Sequence, residues 1–136
     1  MDMTSFNHLC TAVLVGLIWV IQLVHYPSFH YVEKSRFRSF ESFHASRITL
    51  IVLPLMLLEL SSSAYLLTFK QGKINSLNFL LVAIIWATTI FVSMPCHKKL
   101  SDGYQKNIVD KLIKTNWIRT LCWSFKFFLG SFHLIK

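Results

Sequence analysis

The sequence predicts an all-α integral membrane protein folded as an up-and-down four-helix bundle. Hydrophobic residues make up 54% of the 136 residues and charged residues only 15%, whereas an ordinary soluble domain is about 25% charged. The apolar residues are gathered in long runs, and at about 20 residues per transmembrane helix the chain has room for at most four or five of them. This composition excludes intrinsic disorder, and three cysteines are too few for a disulfide scaffold.

The first predicted span covers about residues 6–26 and contains no acidic residue, lysine or arginine. A secretory signal peptide has a basic start and a small-residue cleavage site. This chain instead has an acidic residue, Asp2, near its start, and its apolar run leads into His25, Tyr26 and Pro27. We therefore expect the segment to be retained as a membrane helix.

The second and third predicted spans cover about residues 48–69 and 75–96. The second is interrupted only by Pro54 and by one acidic residue, Glu59. The third contains no charged residue. Segments of this length and composition are typical of transmembrane helices.

The fourth predicted span, about residues 117–135, is the least apolar because it contains Arg119 and Lys126. Ahead of the second and fourth spans, aromatic and polar residues recur at intervals of three and four, as they do on one face of a helix. These residues are Phe37, Phe40, His44, Arg47 and Ile51, and Ile108, Leu112, Thr115, Arg119 and Trp123. We therefore expect the second and fourth helices to extend beyond the membrane on the cytoplasmic side, and all four spans to form one domain, 1–136.

Basic residues are unevenly divided between the predicted loops. The loops after the first and third spans hold nine of them, and the opposite side holds three. The nine are Lys34, Arg36, Arg38, Arg47, Lys98, Lys99, Lys106, Lys111 and Lys114, and the three are Lys70, Lys73 and Lys136. The positive-inside rule then places both basic loops in the cytoplasm and both termini outside. The net charge of +8 is thus a sign of orientation, and we expect a lipid bilayer rather than nucleic acid as the partner.

Four of the six histidines lie near the cytoplasmic ends of the predicted spans: His25, His30, His44 and His97. Imidazoles at this density are typical ligands of iron, copper or zinc, or axial ligands of haem. Three further residues at the same depth, Arg47, Asn116 and Arg119, would orient an anionic or polar group of a cofactor or substrate. The histidine spacing matches no zinc-binding template, and each histidine taken alone is more typical of an anchor at the membrane interface.

Two charged residues lie deep within the predicted spans. Glu59 is about eleven residues into the second span and Lys126 about nine into the fourth, so at about 1.5 Å per residue both lie near mid-membrane. An unpaired charge at this depth is costly. We therefore predict an ion pair or a shared hydrogen-bond network between them, which would act either as a structural lock between two helices or as a proton relay.

Three motifs carry a resemblance to a known group of proteins: His25-Tyr26-Pro27, Pro54-Leu55-Met56-Leu57-Leu58-Glu59 and Asn116-Trp117-Ile118-Arg119-Thr120. With these motifs in this order, the chain resembles, over nearly its whole length, a group of small four-span membrane proteins of bacteria. The resemblance implies four spans in the inner membrane, but it implies no activity, cofactor or site residue. A looser likeness of architecture extends to haem-dependent and oxygenase-like membrane enzymes.

The leading hypothesis is a membrane protein that binds a transition metal or haem at the cytoplasmic leaflet. It would act as an oxidoreductase or oxygenase on a lipophilic substrate that enters from the bilayer. One alternative is a non-catalytic proton or solute carrier subunit in which Glu59 and Lys126 line the path; such a short chain would need to form a homo-oligomer. Another is an accessory or assembly subunit of a membrane complex, whose polar cytoplasmic end docks a partner.

Overall fold

The structure is a computed structural model that describes residues 1–135, with side chains to residue 132. Lys136, which the charge count assigns to the outer side, lies outside the described residues. Four helices account for nearly all of this part of the chain: α1 (Met3–Tyr31), α2 (Phe37–Phe69), α3 (Lys73–Leu100) and α4 (Lys106–Ile135). No strand occurs among the described residues, so the predicted all-α class is confirmed.

Local interactions explain where the helices begin and end. Asp2 caps α1, because its Oδ1 accepts a hydrogen bond from the Ser5 N–H at 2.8 Å. Between α3 and α4 the chain turns at Gly103, whose φ of +140° would be strained in a residue with a Cβ. The Gly103 N–H donates to the Leu100 carbonyl at 3.1 Å and closes the turn at the end of α3.

The first and third helices share an irregularity, a five-residue π-helical turn. The turns are Ile21–His25 in α1 and Thr89–Ser93 in α3, and each is followed at the same distance by a proline, Pro27 or Pro95. In a regular α-helix a proline ring clashes with the carbonyl four residues earlier and has no N–H to donate. In each π turn the N–H of the next residue donates instead to the carbonyl of the first residue of the turn. The wider turns therefore accommodate the prolines without breaking either helix.

The four helices pack in a ring, in which α1 and α3 each contact both α2 and α4. Side chains buried between them include Leu14, Ile18, Phe29, Met56, Ile85 and Trp123. The outer surface exposes large apolar side chains on every helix, among them Val20, Leu57, Phe91 and Phe128. An apolar exterior of this kind indicates a lipid bilayer environment. The end of the ring that holds the loops 32–36 and 101–105 is called here the histidine end.

Three of the described helices, α1, α2 and α3, are long and apolar enough to cross a membrane. The fourth, α4, has sufficient length, but polar residues on its buried face lower its hydropathy. Two of these are the cations Arg119 and Lys126, whose residues are only 5% and 3% exposed. Hydropathy therefore supports three membrane spans. It does not select α4, because the buried polar residues of this helix lower its mean hydropathy.

Candidate functional site

Three of the four predicted histidines meet at the histidine end. His25 comes from the π turn of α1, His44 from α2 and His97 from α3. The Nε2 atom of His25 lies 2.5 Å from Nδ1 of His44, and the ring centroids of His44 and His97 are 5.7 Å apart. The structure thus brings imidazoles from three different helices into one cluster.

The fourth predicted histidine, His30, has different partners. Its Nδ1 lies 2.9 Å from the Tyr104 hydroxyl, and its Nε2 lies 3.0 Å from Oδ1 of Asp110 on α4. Lys106 donates a hydrogen bond of 3.2 Å to the same carboxylate, and this bond lowers the pKa of Asp110 below its usual value. His30 therefore ties the end of α1 to the start of α4 and does not join the cluster.

A buried carboxylate and a buried phenol flank His97. Glu41 on α2 is 1% exposed, and its Oε1 lies 2.6 Å from Nδ1 of His97. On the other side of the ring, Nε2 of His97 lies 3.1 Å from the hydroxyl of Tyr26. A carboxylate at Nδ1 favours the tautomer in which Nε2 accepts a proton, as it does in catalytic triads. Tyr26, His97 and Glu41 therefore form a chain of groups suited to proton transfer, called here the proton relay.

Glu41 and Tyr26 were not among the site residues that the sequence predicts. Glu41 lies three residues before His44, so helical spacing places the two side chains on one face of α2, and this is the signal that identifies it. Tyr26 stands directly before a proline and after a predicted ligand, His25, within a motif that the sequence does single out. The sequence does not reveal that either residue contacts His97, because His97 lies on another helix.

A cavity of about 210 Å³ lies beside the proton relay, between α2 and α3. Its lining includes Tyr26 and His97. It also includes Thr49, Leu53 and Met94, which are exposed on the outer apolar surface of the two helices. The cavity therefore opens sideways on the apolar outer surface of α2 and α3.

Arg119 reaches the same cavity from α4. Its Nη1 donates to the Ser93 hydroxyl at 3.3 Å and to Oδ1 of Asn116 at 3.4 Å, and its guanidinium lies over the Trp123 ring at 5.3 Å from the centroid. Asn116 in turn donates to Oε1 of Gln22 at 2.9 Å. The predicted residues Asn116 and Arg119 thus lie together, and Arg119 supplies a positive charge to the cavity.

The third predicted orienting residue, Arg47, lies elsewhere. It is exposed, and its guanidinium is 5.5 Å from the centroid of the Phe43 ring. Together with His25 and His44 it lines a second cavity, of about 290 Å³, between α1 and α2. Five of the predicted site residues therefore line two cavities on either side of α2, with His25, His44 and Arg47 on one and His97 and Arg119 on the other.

The structure brings Glu59 and Lys126 together in the interior. Nζ of Lys126 lies 2.8 Å from Oε1 of Glu59, and both side chains are almost fully buried. Lys126 also donates to Oδ1 of Asn7 at 3.1 Å and to the Thr11 hydroxyl, while the indole N–H of Trp123 donates to Oε2 of Glu59 at 2.9 Å. The ion pair is thus embedded in a hydrogen-bonded network that joins α1, α2 and α4.

In the part of the chain that the structure describes, no group of three or more His, Cys, Asp or Glu residues is arranged to hold a metal ion. Both ring nitrogens of His97 have partners, Glu41 and Tyr26. One nitrogen of His25 and one of His44 are occupied by their contact with each other. Metal or haem binding by the predicted histidines therefore stays a prediction.

No family of known proteins matches the chain, and no curated protein or solved structure matches it either. The function is therefore inferred from the site itself. Its most informative feature is the placing of the proton relay against a cavity that is open to apolar surroundings.

Proposed function

We propose that this protein binds a lipophilic small molecule from the bilayer and transfers a proton to or from it. The observation that carries the proposal is the proton relay of Tyr26, His97 and Glu41 beside the laterally open cavity. A hydroxyl, an imidazole and a carboxylate in hydrogen-bond contact are the components of general acid–base catalysis. A largely apolar lining favours a lipophilic ligand.

The proposal includes four spans in the inner membrane of a bacterium, arranged as an up-and-down bundle. Within residues 117–132 of α4, the cations Arg119 and Lys126 face inwards, while apolar side chains are exposed at intervals of three and four: Ile118, Leu121, Phe125, Phe128 and Phe132. This distribution supports α4 as the fourth span, because charges within a membrane helix face the protein interior. The excess of basic residues near the histidine end supports a cytoplasmic position for that end and for the site.

In the proposed mechanism the substrate lies in the cavity with an acidic hydrogen next to the Tyr26 oxygen. Tyr26 gives its own proton to Nε2 of His97 as it takes one from the substrate. Glu41 stabilises the imidazolium that forms, as the carboxylate of a catalytic triad does. The negative charge left on the substrate is stabilised by Arg119 on the same cavity. The reverse sequence returns a proton to the substrate.

Proton exchange at carbon tests this proposal. We expect the protein in lipid nanodiscs to accelerate hydrogen–deuterium exchange at the acidic C–H of a lipophilic ketone, 2-tetralone, by about 100-fold or more over protein-free nanodiscs. Loss of the C–H signal in NMR spectra measures the rate. His97→Gln and Tyr26→Phe each remove one step of the relay and should lose most of the acceleration.

His30→Gln is the matched control for this experiment. It removes an imidazole from the same end of the molecule, but His30 contacts Tyr104 and Asp110 and lies outside the relay. This variant should exchange the probe at the rate of the unmodified protein. If the unmodified protein gave no acceleration, or if all three variants retained it, the proposal would be wrong.

A second candidate function is metal or haem binding by the histidine cluster. The meeting of His25, His44 and His97 from three helices favours it, since imidazole is a common ligand of iron, copper and zinc. Metal binding requires His97 to break its hydrogen bond to Glu41 or to Tyr26, so that one ring nitrogen can bind the metal. Protein grown with adequate haem and metals should then carry a stoichiometric metal by mass spectrometry and lose it in His44→Ala. A colourless, metal-free preparation excludes this candidate and leaves the acid–base proposal intact.

A further inference from the structure

The two buried cations of α4 differ in one respect. Lys126 has a counter-charge, because Glu59 lies 2.8 Å away. Arg119 is as deeply buried, yet among the described residues no carboxylate lies within ion-pair distance of it. A buried guanidinium without a counter-charge is costly. An anionic group on a bound ligand would supply the missing charge.

Two buried N–H donors on residues that line the cavity point to the same kind of ligand. They are the Nε–H of Arg119 and the indole Nε1–H of Trp86, and both belong to residues that line the cavity of about 210 Å³. Both nitrogens are buried, and neither has a hydrogen-bond partner within the described part of the chain. Since buried donors are nearly always paired in proteins, two unpaired donors on residues of one cavity favour an acceptor that arrives with a ligand.

The charge of the cavity lining favours an anion over a neutral acceptor. The described lining contains Arg119 and His97 but no aspartate or glutamate. Glu41, the carboxylate of the proton relay, contacts Nδ1 of His97 and does not line the cavity. An anionic oxygen in the cavity is therefore favoured by the positive charge of Arg119 and is not opposed by a carboxylate in the described lining.

We propose that Arg119 and Trp86 bind a ligand oxygen that carries or develops negative charge, and that the ligand is a lipophilic phenol or an enolisable carbonyl compound. This inference rests on the proposed function, since it assigns the substrate of the same cavity. When Tyr26 removes a proton from such a compound, the negative charge moves to its oxygen. N–H donors fixed at that position stabilise the anion that forms, as an oxyanion hole does.

Binding of 2-naphthol, with naphthalene as its neutral counterpart of similar shape, tests the inference. We expect protein in nanodiscs to bind 2-naphthol as the phenolate and to lower its apparent pKa by about 1–3 units, as a positive charge within about 4–6 Å does. The absorbance band of the phenolate measures the ionised fraction, and equilibrium dialysis against protein-free nanodiscs measures the affinity. Naphthalene should bind without a preference that depends on pH.

Trp86→Phe is the informative variant, because it keeps an aromatic ring but removes the N–H. It should weaken binding of the phenolate by about 10-fold and leave binding of naphthalene unchanged. It is preferred to an Arg119 variant, since Arg119 also joins α4 to α3 through Ser93. Trp117→Phe is the matched control, because Trp117 lies on the outer surface of α4 and does not line the cavity.

The outcomes separate this inference from the proposed function. The inference is supported if the protein binds the phenolate preferentially, if Trp86→Phe weakens this binding, and if Trp117→Phe preserves it. If naphthalene binds but 2-naphthol shows no lowered pKa, or if Trp86→Phe has no effect, the oxyanion assignment is overturned while the cavity and its relay remain. If neither compound binds above protein-free nanodiscs, the cavity is not a ligand site and the proposed function falls with the inference.

Discussion

The buried charged side chains of this protein differ in the neighbours that surround them. Glu59 and Lys126 neutralise each other and share hydrogen bonds with Asn7, Thr11 and Trp123, which suits a structural lock between helices. Glu41 contacts Nδ1 of His97 through Oε1, and its second oxygen has no hydrogen-bond partner among the described residues. A carboxylate in this position can stabilise the positive charge on the imidazole when the ring accepts a second proton.

Removing Lys126 should destabilise the protein strongly. Lys126→Met leaves Glu59 buried without a counter-charge, and breaking a buried pair from one side typically costs about 3–5 kcal/mol. The double variant Glu59→Gln/Lys126→Met removes both charges and should recover most of this loss. Unfolding in mixed detergent micelles, followed by circular dichroism, measures the difference. A double variant no more stable than Lys126→Met would show that the pair is not the lock described here.

Residues differ in how clearly the sequence reveals them. Glu59 and Lys126 are conspicuous because each interrupts an apolar segment, and their depths match. Glu41 lies in a polar, basic segment where a carboxylate attracts no attention. Trp86 lies in an apolar span, where an indole is indistinguishable by hydropathy from any other large side chain. Whether its N–H has a partner depends on the neighbouring helices.

The π turns are the elements that shape the site. The turn of α1 ends at His25, directly before Tyr26, and the turn of α3 ends at Ser93, which accepts a hydrogen bond from Arg119. A π turn accommodates one residue more than an α-helical turn and widens the helix locally, and such turns are frequent at functional sites. The two turns thus place polar side chains of both helices at the same end of the ring.

Deleting Phe91 should destabilise α3 unless Pro95 is replaced as well. Phe91 is 76% exposed, so loss of its side chain removes little packing. The deletion returns the π turn to α-helical geometry, in which the Pro95 ring clashes with a carbonyl at a cost of about 3 kcal/mol. Adding Pro95→Ala removes the clash and should restore most of the stability in the same unfolding measurement. An equal loss with and without Pro95→Ala would mean that the proline does not cause the turn.

Hydropathy predicts α1, α2 and α3, because each presents a long apolar run with no more than one charged residue. It is weaker for α4, because Arg119 and Lys126 lower the average although both point inwards. The π turns escape prediction for another reason. A proline in a membrane helix is equally compatible with a simple kink, and the choice depends on how neighbouring helices pack against it.

At the scale of the whole molecule, the site is assembled from all four helices. Tyr26 comes from α1, Glu41 from α2, His97 from α3 and Arg119 from α4. The alternating directions of the spans predict that these ends meet. The rotation of each helix about its axis is not fixed by hydropathy, and for this reason His30 and Arg47, predicted within the same group, lie apart from Arg119.

Labelling from the two sides of the membrane should place the histidine end inside the cell. In a variant without native cysteines, Ser101→Cys should react with a membrane-impermeant maleimide only after the cells are opened. Gln71→Cys, in the loop between α2 and α3, should react in intact cells. An epitope tag appended after α4 should be accessible from the same side as Gln71→Cys. Access from the side of Ser101→Cys instead would mean that α4 does not cross the membrane.

The stacking of Arg119 on Trp123 has a consequence for the electrochemical gradient across the membrane. The hydrogen-bonded network around Glu59 ends at the Trp123 indole, which donates a hydrogen bond but has no lone pair to accept a proton. Beyond the indole, the guanidinium of Arg119 would repel an excess proton, as a fixed arginine does in pores that exclude protons. Acid–base chemistry at the histidine end would thus proceed without short-circuiting the proton gradient of the cell.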